Sequence, residues 1–323
     1  MFLIVLLVSF ILGKYPISIS DFFKAVINQV YPLEHTWDAQ IDTILFKIRF
    51  PRIIMAALIG AGVSVAGATY QALFQNPMVS QDILGASQGS AFGAGLALFF
   101  SFSYQTVITS SFVFGLLAVV LVLSISRLLK ADSILNLVLV GMMIGSLFSS
   151  AVSYLKLVGD PTNTLPAITY WLMGSLSAIK MQNLVFAGPL IIIGLLPIVL
   201  LRWRLNVISL GDEVAQSLGV NVRAMRLILI ASATLITATA VSVSGLIGWV
   251  GLVVPHFSRL LLGSDHRLGI PATALIGGTF LMVVDNVARL LTTSEIPIGI
   301  LTSFIGAPIF ILLIAKNSRQ QLI

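Results

Sequence analysis

Ten runs of apolar residues follow one another along this chain, at about 2–13, 52–74, 89–104, 106–126, 134–156, 184–201, 224–243, 246–262, 271–291 and 298–315. The runs are continuous rather than alternating, which predicts helices and not the strands of a barrel. A helix satisfies its own backbone N–H and C=O groups, and in lipid no water is present to do so. Only 9% of the 323 residues are charged and mean hydropathy is +1.05, against about 25% charged residues in soluble domains. A chain so poor in charge cannot clothe a soluble surface. The expected fold class is all-α and polytopic, with about ten transmembrane helices in one domain over residues 1–323.

Length sorts the runs further. A crossing takes about 20 apolar residues, so the short, glycine-rich run 246–262 is expected inside the bundle. A half-length segment, Pro166 to Ala178, is expected to be re-entrant or interfacial. The run 2–13 covers only about 18 Å as a helix, against a hydrocarbon core of about 30 Å. Residues upstream of it, or shielding by neighbouring helices, are therefore expected. It lacks a basic flank and an A-x-A-like cleavage site, which argues against a signal peptide. In the connection 14–51 a helix is predicted near Ile19 to Tyr31, capped by Ser18 or Ser20.

Basic residues set the orientation. With both ends inside, the inner cations are Arg127, Lys130, Arg202, Arg204, Arg223, Arg226, Arg259, Arg267, Lys316 and Arg319. The outer ones are Lys14, Lys24, Lys47, Arg49, Arg52, Lys156, Lys180 and Arg289. Ten against eight becomes ten against four once Lys14, Lys24, Lys47 and Arg49 are assigned to a long outer connection. This places Ser209 to Val220 on the cytoplasmic side. The net charge of +6 is spread thinly over loops, as membrane-surface and topology charge is, and forms no nucleic-acid footprint. There is no cysteine, hence no disulfide framework and no thiolate site.

Against this apolar background Ser209–Val220, S-L-G-D-E-V-A-Q-S-L-G-V, stands out as a short soluble-looking helix. Ser209 and Asp212 fit a [ST]-x-x-[DE] start. Asp212 and Glu213 favour the positive end of a helix, Gly219 a left-handed terminus, and Asn221 a cap for the next helix. Val214, Ala215 and Leu218 are expected on one face, as a stripe for a partner's groove. A helix lying on lipid would carry Lys and Arg instead of acids.

Other motifs carry less. Gly85-Ala86-Ser87-Gln88-Gly89 matches a hydrolase elbow, but a turn precedes it and an apolar run follows, so small residues for close packing are the better account. The run 52–74 is dense in Gly, Ala and Ser, and Gly141 and Gly145 form G-x-x-x-G, a signal of tight helix contact. His256 and His266 are expected to bond at helix ends, and no metal cluster is expected. Asp285 and Arg289 stand at i, i+4, where pairing lowers the cost of charge inside a span; two readings stand, mutual neutralisation near the membrane edge, or an Arg289 that also presents its charge to an external partner. Arg49-Phe50-Pro51-Arg52 places proline in a first helical turn between two arginines, whose planar groups suit headgroup phosphate or an acidic surface.

These pieces together resemble the permease subunits of ATP-driven importers for iron–siderophore complexes, haem and cobalamin, the FecCD/BtuC-like type II importers. The resemblance rests on RFPR at 49–52, GAGVSVAGATYQALFQNPMVSQDILGASQGS at 60–90, SLGDEVAQSLGVNV at 209–222, GLIGWVGLVVPHFSRLLLGSDHR at 245–267, and DNVARL with EIPIGILTSFIGAPIF between 285 and 310. Met78 and Val79 depart from the Leu-Ala usual after Asn-Pro. It implies a multi-pass protein of a prokaryotic cytoplasmic (inner) membrane, with two such permeases, alike or different, around a passage. It implies a cytoplasmic ATPase dimer coupled through Gly211, Asp212, Glu213, Val214, Ala215, Leu218 and Gly219. It implies an external substrate-binding protein meeting Arg49, Arg52 and Arg289. The chain has no G-x-x-x-x-G-K-[ST] loop, so it is expected to be no enzyme and to hold no cofactor, with ATP and Mg bound by the partner. Iron(III)–siderophore is the first expected cargo, before haem, cobalamin or molybdate. An ion-coupled transporter is the alternative class, and it would need an unpaired pathway carboxylate.

Overall fold

A computed structural model describes residues 1–34, 36–129 and 134–320, with side chains to residue 312. Lys130 and the side chains of Lys316 and Arg319 lie outside the described residues. The order is α1 (Phe2–Ile11), α2 (Ile19–Asn28), α3 (Ala39–Asp42), a π-helical segment (Thr43–Arg49), α4 (Phe50–Leu73), α5 (Ala86–Phe99), α6 (Tyr104–Leu128) and α7 (Ile134–Val158). Then come α8 (Thr164–Leu172), α9 (Met181–Leu200), α10 (Arg202–Ile208), α11 (Asp212–Ser217), α12 (Val222–Ser244), α13 (Val250–Leu262), α14 (His266–Leu290) and α15 (Ile298–Gln320). No strand occurs among the described residues.

Each of the ten apolar runs falls on a helix. Six helices are long and apolar enough to cross a membrane: the continuous stretch Ala39–Leu73, then α6, α7, α9, α12 and α14. α4 and α12 are the most enclosed of these, while α6, α7 and α9 form the rim. Small residues explain the centre. Gly60 of α4 lies against the Gly277 carbonyl of α14, and Gly67 against that of Gly251 in α13. A Cβ on Gly67 would collide with that oxygen. Gly67→Val is therefore expected to lower stability by about 1–3 kcal/mol through overpacking, read as a fall in thermal midpoint. An unchanged midpoint would remove the close approach from the account.

Two expectations change in detail. Arg49-Phe50-Pro51-Arg52 does not open a helix, because the chain is already helical from Ala39. Pro51 has no N–H to give and cannot join the usual ladder. The wider π turns of Thr43–Arg49 precede it and absorb the misfit. The short α1 is shielded on one side only. Ser9 is buried and accepts a hydrogen bond from Asn286 Nδ2 of α14 at 2.7 Å, while Leu3, Ile4 and Leu7 stay exposed.

The connection after α1 is ordered. Ser18 caps α2 by accepting the Asp21 N–H at 3.0 Å. Phe22 and Ala25 then pack with Ile17, Trp37, Ile41 and Leu45 in a small satellite core. α8 covers the first half of the predicted half-length segment. Past Gly174 the chain turns back, and the Ser175 N–H bonds the Ser244 carbonyl at the end of α12 at 2.7 Å.

Candidate functional site

At one end of the bundle the short helices α10 and α11 pack on each other, and α10 also packs on α14 and α4. α11 starts after Gly211, whose φ of +110° suits glycine, and it ends in a paired-bond turn. The Gly219 N–H bonds the Gln216 carbonyl at 2.9 Å and the Val220 N–H bonds the Ala215 carbonyl at 3.0 Å, with Gly219 at φ +78°. This is the Schellman arrangement that the glycine predicted. Asn221 caps α12 by accepting the Ala224 N–H at 3.0 Å, also as expected.

Two local expectations fail. Ser209 does not cap α11, since its hydroxyl donates to the Asn206 carbonyl at 2.8 Å within the last turn of α10. The proposed stripe also divides. Ala215 is fully buried against Val207 and Val222, whereas Val214 and Leu218 are 43% and 63% exposed. Inward packing at position 215 fixes the helix, and positions 213, 214 and 218 face outward. Asp212 is partly committed inside the chain: both its oxygens accept from Arg226 Nη2 at 2.8 Å.

α10 itself was not predicted, and it joins α11 to the bundle. Asn206 accepts the His266 N–H at 2.8 Å, meets His266 Nδ1 at 2.7 Å, and donates to Asp265 Oδ1 at 2.7 Å. The Arg267 N–H and the Asn206 amide hold the Asp265 carboxyl below its ordinary carboxylate range. Asp265 caps α14, so α11 is tied through α10 to the start of a 25-residue helix. His266 bonds at a helix end as expected. His256 does not: among the described residues its ring nitrogens have no hydrogen-bond partner, and the ring meets Phe310 edge-on.

The opposite end holds the predicted arginines, and it turns them inward. Arg49, Arg52 and Arg289 are 4%, 6% and 7% exposed. Arg49 donates to the carbonyls of Phe10, Ile11 and Tyr15, which closes the end of α1. Arg52 Nε donates to Asp285 Oδ1 at 2.9 Å, and its two Nη groups donate to the two oxygens of Glu295, each at 2.9 Å. Arg289 Nε pairs with Asp285 Oδ2 at 3.1 Å, the i, i+4 pair expected, and its Nη2 donates to Asn286. In this structure these groups present little charge outward. Glu295 was not singled out by sequence. Its partner lies 243 positions away, and no local pattern marks such a pair.

Among the described residues several hollows open on the surface; the one beside α11 is walled by Arg127, Arg223 and Arg226, and two others lack such residues. The first of these two, of about 520 Å³, is lined by Leu172, Met173, Leu246, Gly248, Gly299 and Ser303 among others. The second, of about 570 Å³, lies between the turn before α5 and the exposed face of α7, with Asp82, Gln88, Ser146, Ser149 and Ser150 in its wall. Gly141 packs here on the turn at Ile83 and Leu84, and Gly145 on Gly85 and Gln88 at the start of α5. Neither lining contains a cation. Asp82 accepts from Ser87 and, at 3.0 Å, from Gln81 Nε2. Ser87 thus sits in a helix start without the strand that a nucleophile elbow requires.

The family profile of the FecCD transport family matches residues 1–316. The molybdate import system permease protein MolB of Haemophilus influenzae is 39% identical over 308 residues, which cover 95% of this chain and 91% of that protein. The hemin transport system permease protein HmuU of Yersinia pestis is 34% identical over 99% of this chain and 96% of its own length. A solved structure described as an inward-facing conformation of a putative metal-chelate type ABC transporter superposes with a TM-score of 0.87 at 39% identity, covering 98% of this chain and 96% of the other. The chain therefore belongs to the FecCD transport family and is a multi-pass permease subunit of an ABC importer.

Proposed function

We propose that this chain, paired with a second permease, forms the passage of an importer that carries an iron(III)–siderophore complex inward across the cytoplasmic membrane. An ATPase dimer on the cytoplasmic side grips α11, and an external binding protein delivers cargo at the opposite end, on the face that Arg49, Arg52 and Arg289 brace. The observation that carries this reading is α11. A six-residue helix closed by the Gly219 turn, with Glu213, Val214 and Leu218 exposed and α10 tying it to α14, has the form of a handle. Nucleotide-driven closure of the ATPase would move it, and the tightly packed bundle would tilt as a unit. Ion coupling is disfavoured because a loading carboxylate must be free, whereas Asp285 is held by two arginines and Asp82 by two polar side chains.

The relatives' names span an oxyanion and hemin, so the lining bears on cargo. A free oxyanion needs cations or charge-assisted N–H donors. The two hollows without cations offer hydroxyls, apolar surface and, in one, a carboxylate. A chelate conceals the metal charge and suits such walls. In liposomes holding the whole importer, nucleotide-dependent uptake of a neutral iron(III) trihydroxamate is expected to exceed that of molybdate by about tenfold or more, a difference of about 1.4 kcal/mol. Faster molybdate uptake would overturn the cargo assignment. Uptake without nucleotide or companion subunits would overturn the importer mechanism.

A further inference from the structure

The Arg52 fork is full. Its Nε and Nη groups already serve Asp285 and both oxygens of Glu295. The two acids differ in access: the Asp285 side chain is 1% exposed and that of Glu295 is 28% exposed. Asp285 comes from the last turns of α14, where they pack on the start of α4. Glu295 comes from the connection 291–297, whose residues 291–294 are exposed. Few bonds hold that connection. Lys14 Nζ donates to the Thr293 carbonyl at 2.6 Å, and the Ile296 N–H bonds Ala288 at 3.2 Å. Within this set Lys14, Arg49, Arg52 and Arg289 outnumber Asp285 and Glu295. An incoming carboxylate is therefore attracted, and it must displace one of the acids already bound.

The connection leads directly to the first hollow. Ile298 and Gly299 follow Glu295, and their N–H groups bond the carbonyls of Gly174 and Met173 at 2.9 and 3.1 Å. Met173 and Gly299 are in that hollow's wall, with Ser303 one turn further along α15. A segment held at Glu295 thus keeps the hollow's rim in place.

We propose that Glu295 is an exchangeable carboxylate. It occupies Arg52 in the resting chain, an acidic side chain of the external partner replaces it there, and its release loosens residues 291–297 and the rim at 172–174 and 299–303. This rests on the docking reading above and adds a residue to it. It also reconciles inward-facing arginines with an acidic partner: Arg52 becomes available when Glu295 leaves.

The chain contains no cysteine, so Ser303→Cys creates its sole thiol, a reporter on the rim. In the whole importer, Glu295→Gln is expected to tighten binding of the external protein about fivefold, a shift of about 1 kcal/mol. It is also expected to speed reaction of the Ser303→Cys thiol with a water-soluble maleimide about threefold or more, as the loosened state becomes more populated. Glu295→Asp, which restores the charge, should move both values back toward the parent. Unchanged affinity and unchanged labelling in Glu295→Gln, with nucleotide-driven import intact, would overturn the exchange. If the parent importer neither binds an external protein nor imports with ATP, the proposed function fails instead, and the labelling rate still decides whether Glu295 holds the rim.

Discussion

Asp285→Leu is expected to destabilise the chain by about 3–5 kcal/mol, the cost of removing one partner from a buried ionic group. Asp285 is the shared acid of a triad: Arg52 reaches one of its oxygens at 2.9 Å and Arg289 the other at 3.1 Å. Without it two buried guanidinium groups face each other with Glu295 as their remaining acid, and among the described residues the ion pair of Glu295 is with Arg52. The loss should appear as a lower thermal midpoint in detergent and a lower yield of folded protein. Replacing Arg52, Asp285 and Arg289 together by apolar residues of similar size should recover much of it, since the desolvation penalty of all three charges is then gone. A midpoint for Asp285→Leu within about 0.5 kcal/mol of the parent, the range of ordinary surface changes, would show that the triad is not a structural unit.

Most of the fold was legible because lipid leaves the backbone few choices. A continuous apolar run must become a helix, and each of the ten runs did. Local rules also worked where a single residue determines the backbone. Gly219 ends α11 because glycine accepts the left-handed turn, and Ser18 and Asn221 cap because their side chains reach the next N–H groups. They failed where two elements compete for one residue. Ser209 fits a start for α11, but α10 ends on it and takes its hydroxyl. Hidden too was the direction in which charge points. Arg49 and Arg52 flank a span in a way that suits an exposed basic patch, yet α1 ends beside Arg49 and brings three carbonyls to it. Glu295 arrives at Arg52 from a distant connection. The i, i+4 pair Asp285–Arg289 was visible because one helix supplies both members.

Glu213→Lys combined with Leu218→Glu is expected to reduce nucleotide-driven uptake at least about thirtyfold, which corresponds to the loss of about 2 kcal/mol that defines a strong interface position. Both side chains are exposed, and neither forms a hydrogen bond or ion pair among the described residues, so stability should stay within about 0.5 kcal/mol of the parent. Ala215→Glu provides the contrast. That position is buried between Val207 and Val222, so a carboxylate there should lower the thermal midpoint as well as transport. A large effect follows from the mechanical path. α11 is fixed at its start by Asp212 on Arg226 and at its end by the Gly219 turn. α10 fastens the pair to Asp265 and His266. From there α14 runs 25 residues to Leu290, with Arg289 next to last, about 37 Å at 1.5 Å per residue. Force applied to positions 213 and 218 therefore reaches the charged triad at the far end through one helix, and a loosened grip at these positions removes the input to that path. Co-purification of the ATPase together with uptake in liposomes is the measurement. If the double variant retains the ATPase and imports at the parent rate, α11 is not the handle.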